Sequence, residues 1–131
     1  MNGTISEVKE RILVVDDCQD NLFLMQLILE NQGYQVEIAN SGSEALHKIN
    51  YQRFDLILLD FMMPEMNGYE VIGYLRNNNL SFIPVFIVTA NNYVTKKQVV
   101  AAGANGIIYK PVDINILLSE INKALDIQAT S

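Results

Sequence analysis

Two kinds of apolar pattern alternate along this chain. Residues 12–15, 56–59, 85–88 and 107–109 are short apolar runs with no charged position inside them. Such runs predict strands covered on both faces. In residues 34–38 the apolar Tyr34, Val36 and Ile38 instead alternate with Gln35 and Glu37, which predicts a half-exposed strand at a sheet edge. Helical spacing fills the intervals. Residues 22–30 form a first helix stopped near Gly33. Ser41 and Glu44 make a capping box for a second helix, which buries Ala45, Leu46 and Ile49. Breaks at Pro64 and Gly68 precede a third, carrying Val71, Ile72 and Leu75. A fourth is expected from about residue 92 to 102, before Gly103. Asp113 caps a fifth that turns Ile114, Leu117, Leu118, Ile121 and Leu125 inward.

Five strands alternating with five helices predict an α/β domain with right-handed crossovers. With the alternating second strand at an edge, the flavodoxin-like doubly wound order 2-1-3-4-5 follows for a five-stranded parallel sheet. One domain over residues 11–126 is expected, with tails at 1–10 and 127–131. The length of 131 residues suffices for a full core. A net charge of −6, with Lys96 and Lys97 the sole adjacent basic pair, argues against direct nucleic-acid binding. The single cysteine, Cys18, rules out an internal disulfide and suggests a reduced, cytoplasmic setting. No secretory signal or membrane-spanning run is read from the sequence, and no membrane partner is expected.

The residues that close the strands carry the candidate chemistry. Asp16 and Asp17 follow the first strand, Asp60 ends the third, Thr89 the fourth and Lys110 the fifth. Open parallel sheets bind ligands beyond the carboxyl ends of their strands, at the switch point between the first and third here. Three carboxylates gathered there repel one another unless a cation intervenes, and Mg²⁺ prefers such oxygen ligands. Asp60 is the candidate nucleophile for forming an aspartyl phosphate. Singly, each residue has a plainer reading: aspartates favour turns and helix starts, threonine favours strands, and lysines lie at surfaces.

In this order the motifs resemble the receiver domain of bacterial two-component response regulators, over about residues 11–125. The resemblance rests on Val15-Asp16-Asp17, the segment from Leu58 through Asp60 and Pro64 to Gly68, Thr89-Ala90, Ala102-Gly103-Ala104 and Lys110-Pro111. It implies that Asp60 is the phosphoacceptor and Asp17 a direct Mg²⁺ ligand. Asp16 would act through water, and the Met62 carbonyl would supply a further oxygen. Thr89 would be the switch hydroxyl, Lys110 would bond the phosphoryl group, and the Lys110–Pro111 peptide would be cis. The implied partners are a histidine kinase or phosphotransfer protein, then a downstream protein target or a homodimer. No output domain is expected in the chain, and no enzymatic role beyond self-phosphorylation and self-dephosphorylation.

Two departures from that pattern stand out. Ile107 occupies the position where receivers commonly carry a Tyr or Phe partner of the switch threonine, and Tyr109 is expected to point to the opposite side. The interval from Thr89 to Gly103 is about one residue short, so the start of the fourth helix should differ. Phe23 is expected to lean outward near the site, either to meet a phosphodonor or simply to pack at the edge under a loop, Cys18 to be an inert thiol, and His47 to be a surface residue. Rival functions meet obstacles. A haloacid-dehalogenase-type phosphohydrolase needs a second acid two positions after Asp60, where Met62 stands. A nucleotide or flavin binder fits the fold class, but neither a Walker A motif nor G-x-G-x-x-G occurs. The intact Asp16, Asp17, Asp60, Thr89 and Lys110 oppose a phosphorylation-independent pseudo-receiver.

Overall fold

This computed structural model describes residues 9–80 and 82–130, and only the backbone of 127–130. The strands are β1 (Arg11–Val15), β2 (Gln35–Ala39), β3 (Leu56–Asp60), β4 (Val85–Thr89) and β5 (Gly106–Tyr109). The helices are α1 (Gln19–Asn31), α2 (Gly42–Tyr51), α3 (Gly68–Asn77), α4 (Lys96–Ala102) and α5 (Ile114–Thr130). All strand pairs are parallel, in the order β2-β1-β3-β4-β5, as the pattern predicted. Residues 1–8 of the expected N-terminal tail lie outside the described residues, while α5 continues through the backbone of 127–130.

Strand alternation divides the core between two layers. Leu13, Val15, Ile57, Leu59, Val85 and Ile87 face α2, α3 and α4, meeting Ala45, Ile49, Val71, Ile72 and Val99. Ile12, Val14, Leu56, Leu58, Phe86, Val88 and Ile108 face the other way, toward Leu22 and Leu29 of α1 and Leu117, Ile121 and Leu125 of α5. Ile114, expected inside, is exposed at the start of α5. Asp113 does cap that helix, accepting from the amides of Asn115 and Ile116.

The helix starts depart most from expectation. Helix α1 begins at Gln19, and its N-cap Cys18 makes no side-chain cap bond, so no sequence signal marked it. In α2 the Ser41 hydroxyl accepts from the Glu44 amide as expected, but the Glu44 carboxylate reaches back one residue further, to the Asn40 amide. Helix α4 is only seven residues long. Asn91 bonds the Tyr93 amide, turning the chain before helix can form, and Thr95 with Gln98 then makes the capping box that starts it. At the other end of the sheet one side chain joins two loops, α3–β4 and α4–β5. The half-buried Arg76 guanidinium donates to the carbonyls of Leu80, Ile83 and Gly103 and to Asn105 Oδ1. Burial holds its pKa below the ordinary arginine value.

Candidate functional site

Register builds the site. Val15 lies opposite Leu59, so the next residues, Asp16 and Asp60, emerge side by side from adjacent parallel strands. Asp60 is in turn opposite Val88, which carries Thr89, and Thr89 is opposite Tyr109, which carries Lys110. The Lys110 amide bonds the Thr89 carbonyl at 2.8 Å, and the Lys110–Pro111 peptide is cis. Carboxylate oxygens of Asp16, Asp17 and Asp60 lie within 4.8 Å of one another. Asp16, Asp60 and Thr89 are buried, whereas Asp17 is open to solvent. The ammonium of Lys110 sits 2.9 Å from Asp16 and 3.8 Å from Asp60.

The two buried acids are inequivalent. Burial pushes Asp16 up, but the Cys18 amide on Oδ1 and the Lys110 ammonium on Oδ2 outweigh it and hold the pKa below the usual carboxylate value. Asp60 is also desolvated and faces the charge of Asp16, so its pKa rises to about 6 despite Lys110 and the Met62 amide at 3.2 Å. Lys110 loses charge stability by burial yet titrates above an ordinary lysine, because Asp16 bonds it and Asp60 faces it. One ammonium is therefore shared between two of the three carboxylates. The oxygen donor set suits a hard divalent cation, and Mg²⁺ tolerates a site with few protein ligands because it keeps its waters.

Loop packing holds the frame. Met66 lies over Gly42, where a Cβ would come within 2.9 Å of its side chain, so α2's start braces the loop after Asp60. In that loop Glu65 takes a positive φ of 69°, an unusual conformation for a residue with a Cβ. The Thr89 hydroxyl accepts from the Asn91 amide at 3.0 Å. Sequence reasoning missed Asn21, whose amide reaches Asp16 Oδ2 at 3.4 Å, since nothing local links a first-turn asparagine to a strand end.

Tyr109 requires a correction. It does not point opposite Ile107: the two are two residues apart, and a strand repeats every two. Ile107 packs on the α3–α4 layer, and the Tyr109 hydroxyl donates to the Val94 carbonyl at 2.5 Å on that same side. Ile108 is the residue that faces the α1–α5 layer. Phe23 is exposed on α1 beside the exposed Leu24 and Leu27, Cys18 is an exposed free thiol, and His47 stacks at the surface on Tyr51. Among the described residues no helix is long and apolar enough to cross a membrane.

Comparison with known proteins agrees with this geometry. A family profile described as the response regulator receiver domain matches residues 12–122. Among curated relatives, the CAI-1 autoinducer sensor kinase/phosphatase CqsS of Vibrio cholerae is 39% identical, covering 88% of this chain and 17% of its own length. The transcriptional regulatory protein ZraR of Klebsiella oxytoca is also 39% identical, covering 87% of this chain and 26% of its own length. The chain thus spans about a quarter or less of these relatives. Among solved structures, a CheY-like receiver domain protein from Methanospirillum hungatei superposes with a TM-score of 0.84 at 35% identity, covering 94% of this chain and 98% of that one. The Vibrio cholerae chemotaxis protein CheY4 gives 0.83 at 33% identity, covering 90% and 100%.

Proposed function

This chain belongs to the response regulator receiver domain family of two-component signalling, and from that premise we propose that Asp60 accepts a phosphoryl group from a phosphohistidine protein in a Mg²⁺-dependent reaction. The observation that carries the proposal is the meeting of Asp16, Asp17 and Asp60 within 4.8 Å, with the Lys110 ammonium 3.8 Å from Asp60. Asp17, Asp60 and the Met62 carbonyl would hold the ion, with Asp16 acting through water. Mg²⁺, when bound, supplies charge neutralisation for the transferring group.

An ionised oxygen of Asp60 attacks phosphorus, an O–P bond forms, and the N–P bond of the donor breaks with its electron pair leaving on the imidazole. Lys110, already shared between two carboxylates, turns to the incoming phosphoryl oxygens. Thr89 exchanges its bond with the Asn91 amide for one to those oxygens, and the loop leading to α4 follows. The donor is a histidine kinase or phosphotransfer protein in the cytoplasm, and it approaches over Phe23. The result is a signalling switch in which the α4–β5 face changes state; a protein target reads it.

Incubation with Mg²⁺ and acetyl phosphate, followed by intact-mass measurement, tests this directly. Wild type gains one phosphate and Asp60→Asn gains none. Equal incorporation in both proteins, or none in either, overturns the assignment.

A further inference from the structure

Both oxygens of the buried Asp16 carboxylate are taken. The Cys18 amide donates to Oδ1 at 2.9 Å. Oδ2 is shared by the Lys110 ammonium at 2.9 Å and the Asn21 side chain at 3.4 Å. An ionised carboxylate only accepts, so the end of Asn21 turned toward it is the NH₂ group. Asn21 is the third residue of α1 and is otherwise open to solvent.

Hydrogen bonds to an ionised acceptor are ordinarily shorter than the one Asn21 makes. Lys110 accounts for its length, since a full ammonium on the same oxygen leaves the neutral amide in second place. Few other donors stand nearby. A cavity of about 370 Å³ opens beside Asp16 between α1 and α5. Asp16, Asn21 and Lys110 are the polar residues of its lining, and the rest of the wall is apolar, Leu24, Met25, Leu58 and Val88 among it. If Lys110 withdrew, Oδ2 would be left against that wall, and a buried carboxylate oxygen that loses its partner is costly.

We infer that Asn21 is a positioning residue, which closes on Asp16 Oδ2 as Lys110 leaves it and so sets how readily the ammonium is released to the phosphoryl oxygens. That release rests on the proposed function, because the phosphoryl group is what draws Lys110 away. The exchange breaks no covalent bond and moves no proton between residues: one donor on Oδ2 replaces another. A purely structural link between α1 and the end of β1 would behave differently, since its length would not depend on where Lys110 is.

Two measurements on the full chain test the inference. The first needs no phosphorylation. In isotopically labelled protein near pH 8, Lys110→Met is expected to move the Asn21 side-chain amide protons downfield as their bond shortens, and an unmoved resonance overturns the inference. The second follows phosphorylation by acetyl phosphate with Mg²⁺, read as intact mass against time. Asn21→Leu keeps the size of the side chain, removes the donor and suits a helix, so its melting temperature should hold. It is expected to lower the rate constant at saturating acetyl phosphate about fivefold and to leave the half-saturating concentration in place. Asn21→Gln, which keeps the amide, is expected to recover part of the loss. A wild-type rate constant in Asn21→Leu, a change confined to the half-saturating concentration, or no recovery in Asn21→Gln overturns the role. If wild type itself gains no phosphate, the phosphoacceptor assignment fails, and the Lys110→Met resonance still decides whether Asn21 takes over Oδ2.

Discussion

Replacing Asp60 with asparagine should make the metal-free protein more stable, although it destroys the proposed phosphoacceptor. The carboxyl of Asp60 moves from an ordinary 3.8 to about 6 on folding, chiefly through burial and then through the charge of Asp16. A raised carboxyl pKa means that the folded state holds the proton more tightly than the unfolded chain. The group therefore contributes nothing below the unfolded value and destabilises progressively as pH climbs through the window up to about 6. Linkage over that interval amounts to about 3 kcal/mol near pH 8 and roughly half of that near pH 5. Asparagine occupies nearly the same volume without the charge, so the variant should melt about 10 °C higher than wild type near pH 8 in EDTA. Asp16 behaves oppositely, since its depressed pKa stabilises at neutral pH and that contribution is lost on acidification. It is present in both proteins, but Asp60 helps set its environment, so the difference between them reports the coupled pair of carboxylates. Saturating Mg²⁺ should close the gap, because a ligand at a hundred times its Kd stabilises wild type by about 2.7 kcal/mol. Thermal melts at two pH values, each with EDTA and with Mg²⁺, make the comparison. Identical melting temperatures in EDTA near pH 8, or a gain that ignores pH, would refute the reasoning.

Three further outcomes follow from the geometry. Asp17→Asn should weaken Mg²⁺ binding by about tenfold or more while leaving the fold intact, read by calorimetric titration; unchanged affinity would remove Asp17 from the ligand set. Arg76→Ala should cost about 2–4 kcal/mol in urea unfolding, since it orphans carbonyls in two loops, and Arg76→Lys should recover little of it because an ammonium cannot fork. Tyr109→Phe should cost about 1 kcal/mol and speed amide exchange in residues 91–95, where the Tyr109 hydroxyl holds the Val94 carbonyl; unchanged exchange would mean that this bond does not anchor the loop.

Much of this architecture was legible in the sequence because burial leaves a clear mark. Strands covered on both faces contain no polar residue, so Asp60, Thr89 and the Asp16–Asp17 pair declared the strand ends that carry them. The alternation in residues 34–38 placed β2 at an edge for the same reason. What escaped depends on contacts between distant segments. The start of α1 has no capping side chain, so the pattern alone began it at Leu22 rather than Gln19. Helix α4 is shorter than its apolar spacing predicts because an Asx turn at Asn91 and a capping box at Thr95 compete with helix for the same residues. Ile114 has helical spacing with the core but sits one turn too early to reach it. Tyr109 shares the face of Ile107 because side-chain direction repeats every two residues along a strand.

The position of Arg76 has a mechanical consequence. Its partners stand where the chain enters β4 and β5, at the pole remote from the acidic cluster. A guanidinium that ties several segments together behaves like a rivet: loosening any one of them disturbs all. Displacements begun at Thr89 should thus pivot about a fixed base and grow toward the opposite pole, as the free edge of a door moves while its hinge stays still.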